Sequence, residues 1–102
     1  KYTLGDYSGA REDYDKALEL NPHNGEIYAG RAGIKYTLGD YSGAREDYDK
    51  ALKLNPNSAA IYYNRAFVKI KLGLEDEACK DWSQAFVLGC VQAKKYIKTQ
   101  CK

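Results

Sequence analysis

The sequence predicts an all-α chain of antiparallel helix-turn-helix repeats stacked as a solenoid, and three observations carry that prediction. The segment KYTLGDYSGAREDYDKAL at Lys1 to Leu18 returns letter for letter at Lys35 to Leu52, and a diverged third copy follows after the same 34-residue interval. A period of this size marks repeats built from paired helices. Turn residues fall twice in each period, at Gly39-Asp40 and at Asn55-Pro56, and the residues between them have helical apolar spacing.

The elements follow in order. Residues 1–24 form a partial repeat in which Lys1 to Leu4 are all that remains of a first helix. Tyr7, Ala10, Tyr14 and Ala17 form the apolar side of a second helix. Residues 25–58 form a complete hairpin. Its first helix, about Glu26 to Leu38, places Ile27, Ile34 and Leu38 on one side and Tyr28 and Ala32 on another, so it is buried on more than one face. Its second helix, about Tyr41 to Leu54, aligns Ala44, Tyr48, Ala51 and Leu52 on one stripe. Residues 59–89 form a diverged hairpin. Residues 90–102 supply a last helix, about Cys90 to Cys101, with Cys90, Ala93, Ile97 and Cys101 inward and Lys94, Lys95 and Lys98 outward, as a solenoid cap requires. Proline after asparagine at 21–22 and 55–56 stops the helices before it, since proline lacks the amide and pushes the preceding residue out of helical geometry. Gly5, Gly39 and Gly73 mark one hairpin turn repeated. Asp6, Asp40 and Asp76 stand near the start of each second helix, where a carboxylate caps free amides and opposes the dipole.

Composition bounds the function classes. The 102 residues suit one domain, with 44% apolar and 29% charged residues. A net charge of +2 with no basic run gives no support for nucleic acid or an anionic membrane as partner. No apolar stretch approaches the ~20 residues of a membrane span, and no signal-peptide pattern opens the chain. The expectation is a soluble, cytoplasmic protein. The chain starts in mid-motif without Met, so we expect it to be a piece of something longer.

The residues resemble the tetratricopeptide repeat. Its pattern runs through Tyr28, Arg31, Ala32 and Lys35 on the first helix, Ala44 and Tyr48 on the second, and Pro56 after it. The next copy supplies Tyr62, Arg65, Ala66, Lys69, Ala78 and Trp82, with Cys90 at the proline position. The resemblance implies a right-handed superhelical solenoid whose first helices line a concave, protein-binding groove. Arg31 and Arg65 stand where the family usually has leucine, and Lys35 and Lys69 where it usually has tyrosine. Asp13, Asp47 and Asp81 recur on the second helices. We read these departures as an ion-pair ladder, Asp47 with Arg31 and Asp81 with Arg65, because buried charges are normally paired. The lysine stems cover apolar surface while their ammonium groups reach water. The other reading of these charges is a ligand-binding role.

Nothing points to catalysis, a cofactor or a metal. The single histidine, His23, lies in a turn, and Glu12 with Lys16 and Glu46 with Lys50 have the spacing of surface ion pairs. Cys79, Cys90 and Cys101 have neither zinc nor redox spacing. Cys90 and Cys101 lie roughly 16 Å apart along one helix and cannot join. Cys79 and Cys101 could meet across an antiparallel pair, but three buried thiols are the favoured reading, and the odd count fits a reducing compartment.

On the family resemblance, the groove stripe comprises Ala29, Gly33, Tyr36 and Thr37, then Tyr63, Phe67, Ile70 and Lys71, with Tyr2 at the broken edge. Aromatic side chains there suit a peptide, although they are equally suited to a core. Gly30 and Gly33 each weaken their helix by roughly 1 kcal/mol relative to Ala, which implies either a closely packed neighbour or clearance for a ligand backbone. Chaperone-binding members of the family grip a terminal carboxylate with Lys and Asn from successive first helices. Here Asn64 holds one such place and Gly30 the preceding one, so the clamp is incomplete. The function expected is a protein-interaction module taking a peptide or helix of a partner, with Asn64 and Lys71 as polar contributors. The alternative is an assembly segment that forms homo-oligomers through Tyr7, Ala10, Tyr14 and Ala17, an exposed apolar face.

Overall fold

The computed structural model describes residues 4–101 and is helical throughout its regular elements: α1 (Leu4–Leu20), α2 (Gly25–Thr37), α3 (Tyr41–Leu54), α4 (Ala59–Lys71), α5 (Glu75–Val87) and α6 (Ala93–Gln100). The 34-residue period is visible in the starts, at 25, 59 and 93 for α2, α4 and α6 and at 41 and 75 for α3 and α5. Helices α2 and α3 form one hairpin and α4 and α5 the next; α1 packs on α2, α3 on α4 and α5 on α6. Helices α2 and α4 are thereby each wedged between two second helices, giving an elongated solenoid of 40 × 26 × 22 Å.

Local chemistry accounts for the helix ends. Asn24 accepts hydrogen bonds from the Glu26 and Ile27 amides at 2.9 and 3.2 Å, Asp40 from the Gly43 amide at 3.0 Å, and Ser58 from the Ile61 amide at 3.3 Å. Gly39 and Gly73 turn the chain between α2 and α3 and between α4 and α5 with φ of 88° and 77°, which other residues rarely adopt.

Two expectations about these ends need correction. Asp76 does not cap α5: Leu74 holds the cap position without a side-chain bond, and Asp76 lies inside the first turn beside Glu75 and Glu77, where it can only oppose the dipole. Gly5-Asp6 makes no turn either, because α1 runs straight through it. The same letters, Leu-Gly-Asp-Tyr-Ser-Gly, are helical from Leu4 and bend at Leu38 to Asp40. Gly39 bends because α2 must fold back to pack on α3; no such helix lies ahead of α1 among the described residues, and continuing the helix satisfies its backbone groups at once.

The core falls into two clusters. Ala32, Ala44, Tyr48, Ala51, Leu52, Ile61 and Val68 form one; Ala66, Ala78, Trp82, Ala85 and Ala93 form the other. Alanines at the crossings let the backbones approach, and the large rings of Tyr48 and Trp82 fill the space that remains. Burial pushes the Tyr48 hydroxyl up to about 12.

The cysteine reading is overturned. Cys79 on α5 and Cys101, immediately after α6, form a disulfide with Cα atoms 5.7 Å apart. Cys90 precedes α6 in the turn and stays a free, half-buried thiol, its Sγ 3.5 Å from Gln92 Oε1. The last helix is shorter than expected because Gly89, at φ 108°, and the residues after it form the turn. A disulfide belongs to oxidising compartments, so the cysteines no longer support an intracellular location. No helix among the described residues is long and apolar enough to cross a membrane.

The bridge closes a 22-residue separation, for which chain entropy gives about 3 kcal/mol. Reductant should therefore lower the melting temperature of the native chain markedly and leave that of Cys79→Ser, already lowered, unchanged. Identical melting curves with and without reductant would remove the bridge from the account.

Candidate functional site

The ion-pair ladder is present and is larger than the sequence reading. Arg31 on α2 grips Asp47 on α3 with two bonds, Nε to Oδ2 at 2.7 Å and Nη2 to Oδ1 at 2.8 Å, and its Nη1 reaches Asp15 on α1 at 2.8 Å. One period on, Arg65 holds Asp81 with two bonds at 2.8 Å and Asp49 at 2.8 Å. Each arginine therefore ties its own second helix to the second helix before it, and the fixed fork of the guanidinium fits both carboxylates. Asp15 and Asp49 were missed, although each lies 16 residues before its arginine as Asp47 and Asp81 lie 16 after. That symmetric spacing is the signal that could have found them.

The lysines also differ from expectation. Lys35 Nζ bonds Asp47 at 3.1 Å, and Lys69 Nζ bonds Asp81 at 3.2 Å and Glu77 at 3.3 Å. Lys69 is only 7% exposed. The ammonium groups are drawn inward because a buried carboxylate needs more than one donor. The bonds with Asp47 hold the Arg31 guanidinium above its usual range, against the opposing effect of burial; Asp15 adds to them. At Arg65 burial works hardest against the charge, and Asp81 and Asp49 outweigh it.

The ladder ties down α2 and α4, the helices that carry the residues expected to line a groove. On α2, Ala29 and Tyr36 are half-buried and pack against the first core cluster, and Tyr36 meets Tyr41 edge-on at 5.4 Å. Ala29 also lines an open cleft with Glu26, Ala60 and Ile61. On α4, Tyr63, Phe67 and Ile70 are half-buried against the second cluster. Phe67 contacts Tyr63, Tyr96 and Trp82 at 5.1, 4.9 and 5.4 Å, and Tyr96 of α6 stacks on Trp82. Tyr63 and Phe67 are thus partly spent on joining α4 to α6. Burial and the neighbouring Tyr96 hydroxyl push the Tyr63 hydroxyl upward. Asn64, Thr37 and Lys71 are exposed. Tyr2 lies outside the described residues.

The two glycines separate. A methyl group on Gly30 would fall 2.6 Å from the Tyr14 ring of α1, so that glycine serves close packing; at Gly33 the nearest atom, the Tyr48 hydroxyl, is 3.8 Å away. At the other end, Tyr7, Ala10, Tyr14 and Ala17 are half-buried, and the last three line a shallow groove with Asp13. Among the described residues no group of side chains could hold a metal ion.

Residues 2–46 match the model described as "Tetratricopeptide repeat", and residues 32–73 match one described as "TPR repeat". The chain is a tetratricopeptide-repeat protein. Solved structures agree. The first TPR of Spaghetti (RPAP3), bound to HSP90 peptide SRMEEVD, superposes with TM-score 0.87 at 25% identity, covering 92% of this chain and 76% of that one. The Arabidopsis OM64 TPR domain gives TM-score 0.85 at 28% identity, covering 90% and 78%. The second TPR domain of human RPAP3, in complex with HSP70 peptide SGPTIEEVD, gives 0.86 at 25%, covering 96% and 83%. No curated protein matches the chain in sequence.

The glycines supply a direct check. Gly33→Ala should raise stability by up to about 1 kcal/mol through helix propensity, whereas Gly30→Ala should lower it by displacing Tyr14. Urea unfolding measures both, and equal effects of the two substitutions would contradict the packing.

Proposed function

We propose that this repeat module takes an extended peptide or a helix of a partner protein along the stripe of α2 and α4. The observation that carries the reading is the row Ala29, Gly33, Tyr36 and Phe67, still half-open after folding, with Asn64 and Lys71 exposed beside it. Similar repeat domains are solved with peptides bound. Aromatic rings already held by neighbours bury area at little further entropy loss, which makes them suitable anchors.

A carboxylate clamp is not part of this reading. Tyr14 closes off the place of Gly30, leaving Asn64 without the second donor that a terminal carboxylate needs. Apolar contacts should dominate, with Asn64 and Lys71 adding direction. The alternative, stacking of copies through Tyr7, Ala10, Tyr14 and Ala17, is disfavoured by charge. Helix α1 carries Asp6, Glu12, Asp13, Asp15 and Glu19 against Arg11 and Lys16, so two such helices face to face repel.

Selection from a random peptide display library tests the reading. We expect recovered peptides to be rich in aliphatic and aromatic residues. Each should bind as well with an amidated as with a free C-terminus, and each should be lost on Gly33→Arg, which fills the clearance beside Tyr48. Recovery of nothing, or of peptides indifferent to Gly33→Arg, would overturn it. SRMEEVD should bind weakly at best, and tight binding lost on amidation would show a clamp after all.

A further inference from the structure

The stripe on α2 opens at one point onto a polar atom of the core. The Tyr48 side chain belongs to the first core cluster and is only 5% exposed. Its hydroxyl makes no hydrogen bond among the described residues, and yet the one fully buried polar side-chain atom without a partner there is Trp82 Nε1. The Tyr48 oxygen therefore reaches the surface through a small opening. That opening lies beside Gly33, where an added methyl group would meet the Tyr48 hydroxyl at 3.8 Å. The distance is ordinary contact, so packing does not require a glycine here, although glycine weakens the helix relative to alanine. In the next hairpin the corresponding place is shut. One period on, Phe67 stands for Gly33 and Trp82 for Tyr48, and the two rings meet edge-on at 5.4 Å. The other polar groups around Gly33 are spent: Thr37 Oγ1 donates to the Gly33 carbonyl at 3.1 Å, and Arg31 and Lys35 are held by Asp47. Burial, with Tyr36 adding to it, keeps the Tyr48 hydroxyl protonated at neutral pH, a donor with nothing to donate to. The spot lies within the α2–α3 hairpin, with α4 packed on α3 beyond it.

We infer that the Tyr48 hydroxyl is a hydrogen-bonding subsite, donating to a main-chain carbonyl oxygen of an extended partner peptide whose backbone passes over Gly33. The inference rests on the peptide-binding reading above and narrows it to one of its two forms. A partner helix has its carbonyls bonded internally and offers little to this donor, whereas an extended chain must find partners for the carbonyls that it buries. The missing side chain at Gly33 lets a backbone come close enough to be reached. A carboxylate is a poor occupant. The cations of α2, Arg31 and Lys35, are already committed to Asp47, so neither is free to offset the desolvation of a second charge. Tyr48 thereby acts as a specificity determinant, selecting an unpaired, neutral oxygen at one place on an otherwise apolar stripe.

The test begins without a ligand. Tyr48→Phe should melt no lower than the native chain, because the hydroxyl that it removes bonds nothing within the fold; a clear drop would reveal an internal partner and overturn the assignment. The probe is then a linear, end-blocked peptide recovered from a random display library on the native chain and lost on Gly33→Arg. Tyr48→Phe should weaken its binding about tenfold, the effect of losing one neutral hydrogen bond. Replacing each backbone amide of the peptide in turn by an ester, whose carbonyl is the weaker acceptor, should find one position that matters to the native chain and not to Tyr48→Phe. Peptides lost on Gly33→Arg that bind Tyr48→Phe at full strength, or that bind as helices by their amide shifts, would remove the hydroxyl subsite and leave the groove standing. An empty selection, or peptides indifferent to Gly33→Arg, would remove the groove and the subsite together.

Discussion

The structure depends on one arrangement repeated twice: an arginine on a first helix holding carboxylates from the second helices on both sides. Arg31 joins α1 and α3, and Arg65 joins α3 and α5. The inner carboxylates, Asp47 and Asp81, are almost wholly buried, while the outer ones, Asp15 and Asp49, face solvent. The energetic consequences differ accordingly. Removing a partner from a buried, doubly bonded pair typically destabilises by about 3–5 kcal/mol, whereas an exposed pair is worth about 0–1 kcal/mol. The inner bonds make each hairpin specific in register, and the outer bonds set how successive hairpins meet.

That division explains how a chain with so many alanines can keep a defined shape. Alanine crossings bring helices close but provide little to fix their rotation, since a smooth surface fits many registers. The bidentate pair fixes it. With the first helices locked, one side of α2 and α4 stays partly open, and it is along this side that we propose a partner lies. The aromatic cluster of Phe67, Trp82 and Tyr96 shows the limit, because α6 draws on residues that would otherwise be available to a ligand.

Much of this was legible in the sequence. The 34-residue echo gives the architecture, proline and glycine give the turns, and the fixed offset of Arg and Asp gives the inner ladder. The outer carboxylates were hidden in plain spacing, because Asp15 and Asp49 sit among several surface acids with nothing to mark them. The run of α1 through Gly5-Asp6 was illegible for a physical reason: the same six letters support a turn or a helix, and the neighbouring helix decides. The Cys79–Cys101 bridge depended on where α6 starts, and that start is set by a turn with no proline or capping side chain to announce it. For the groove, sequence could place residues on a stripe but could not divide the aromatics between ligand and core.

The central claim is that the arginine and the buried aspartate act as one unit. A double-mutant cycle on Arg65 and Asp81, measured by urea unfolding of Arg65→Met, Asp81→Leu and the double variant, tests it most directly. The account predicts two severely destabilised single variants and a double variant far more stable than their sum, with a coupling of at least about 1.5 kcal/mol. Additive losses would mean that the two side chains are independent and that the ladder does not hold the repeats together.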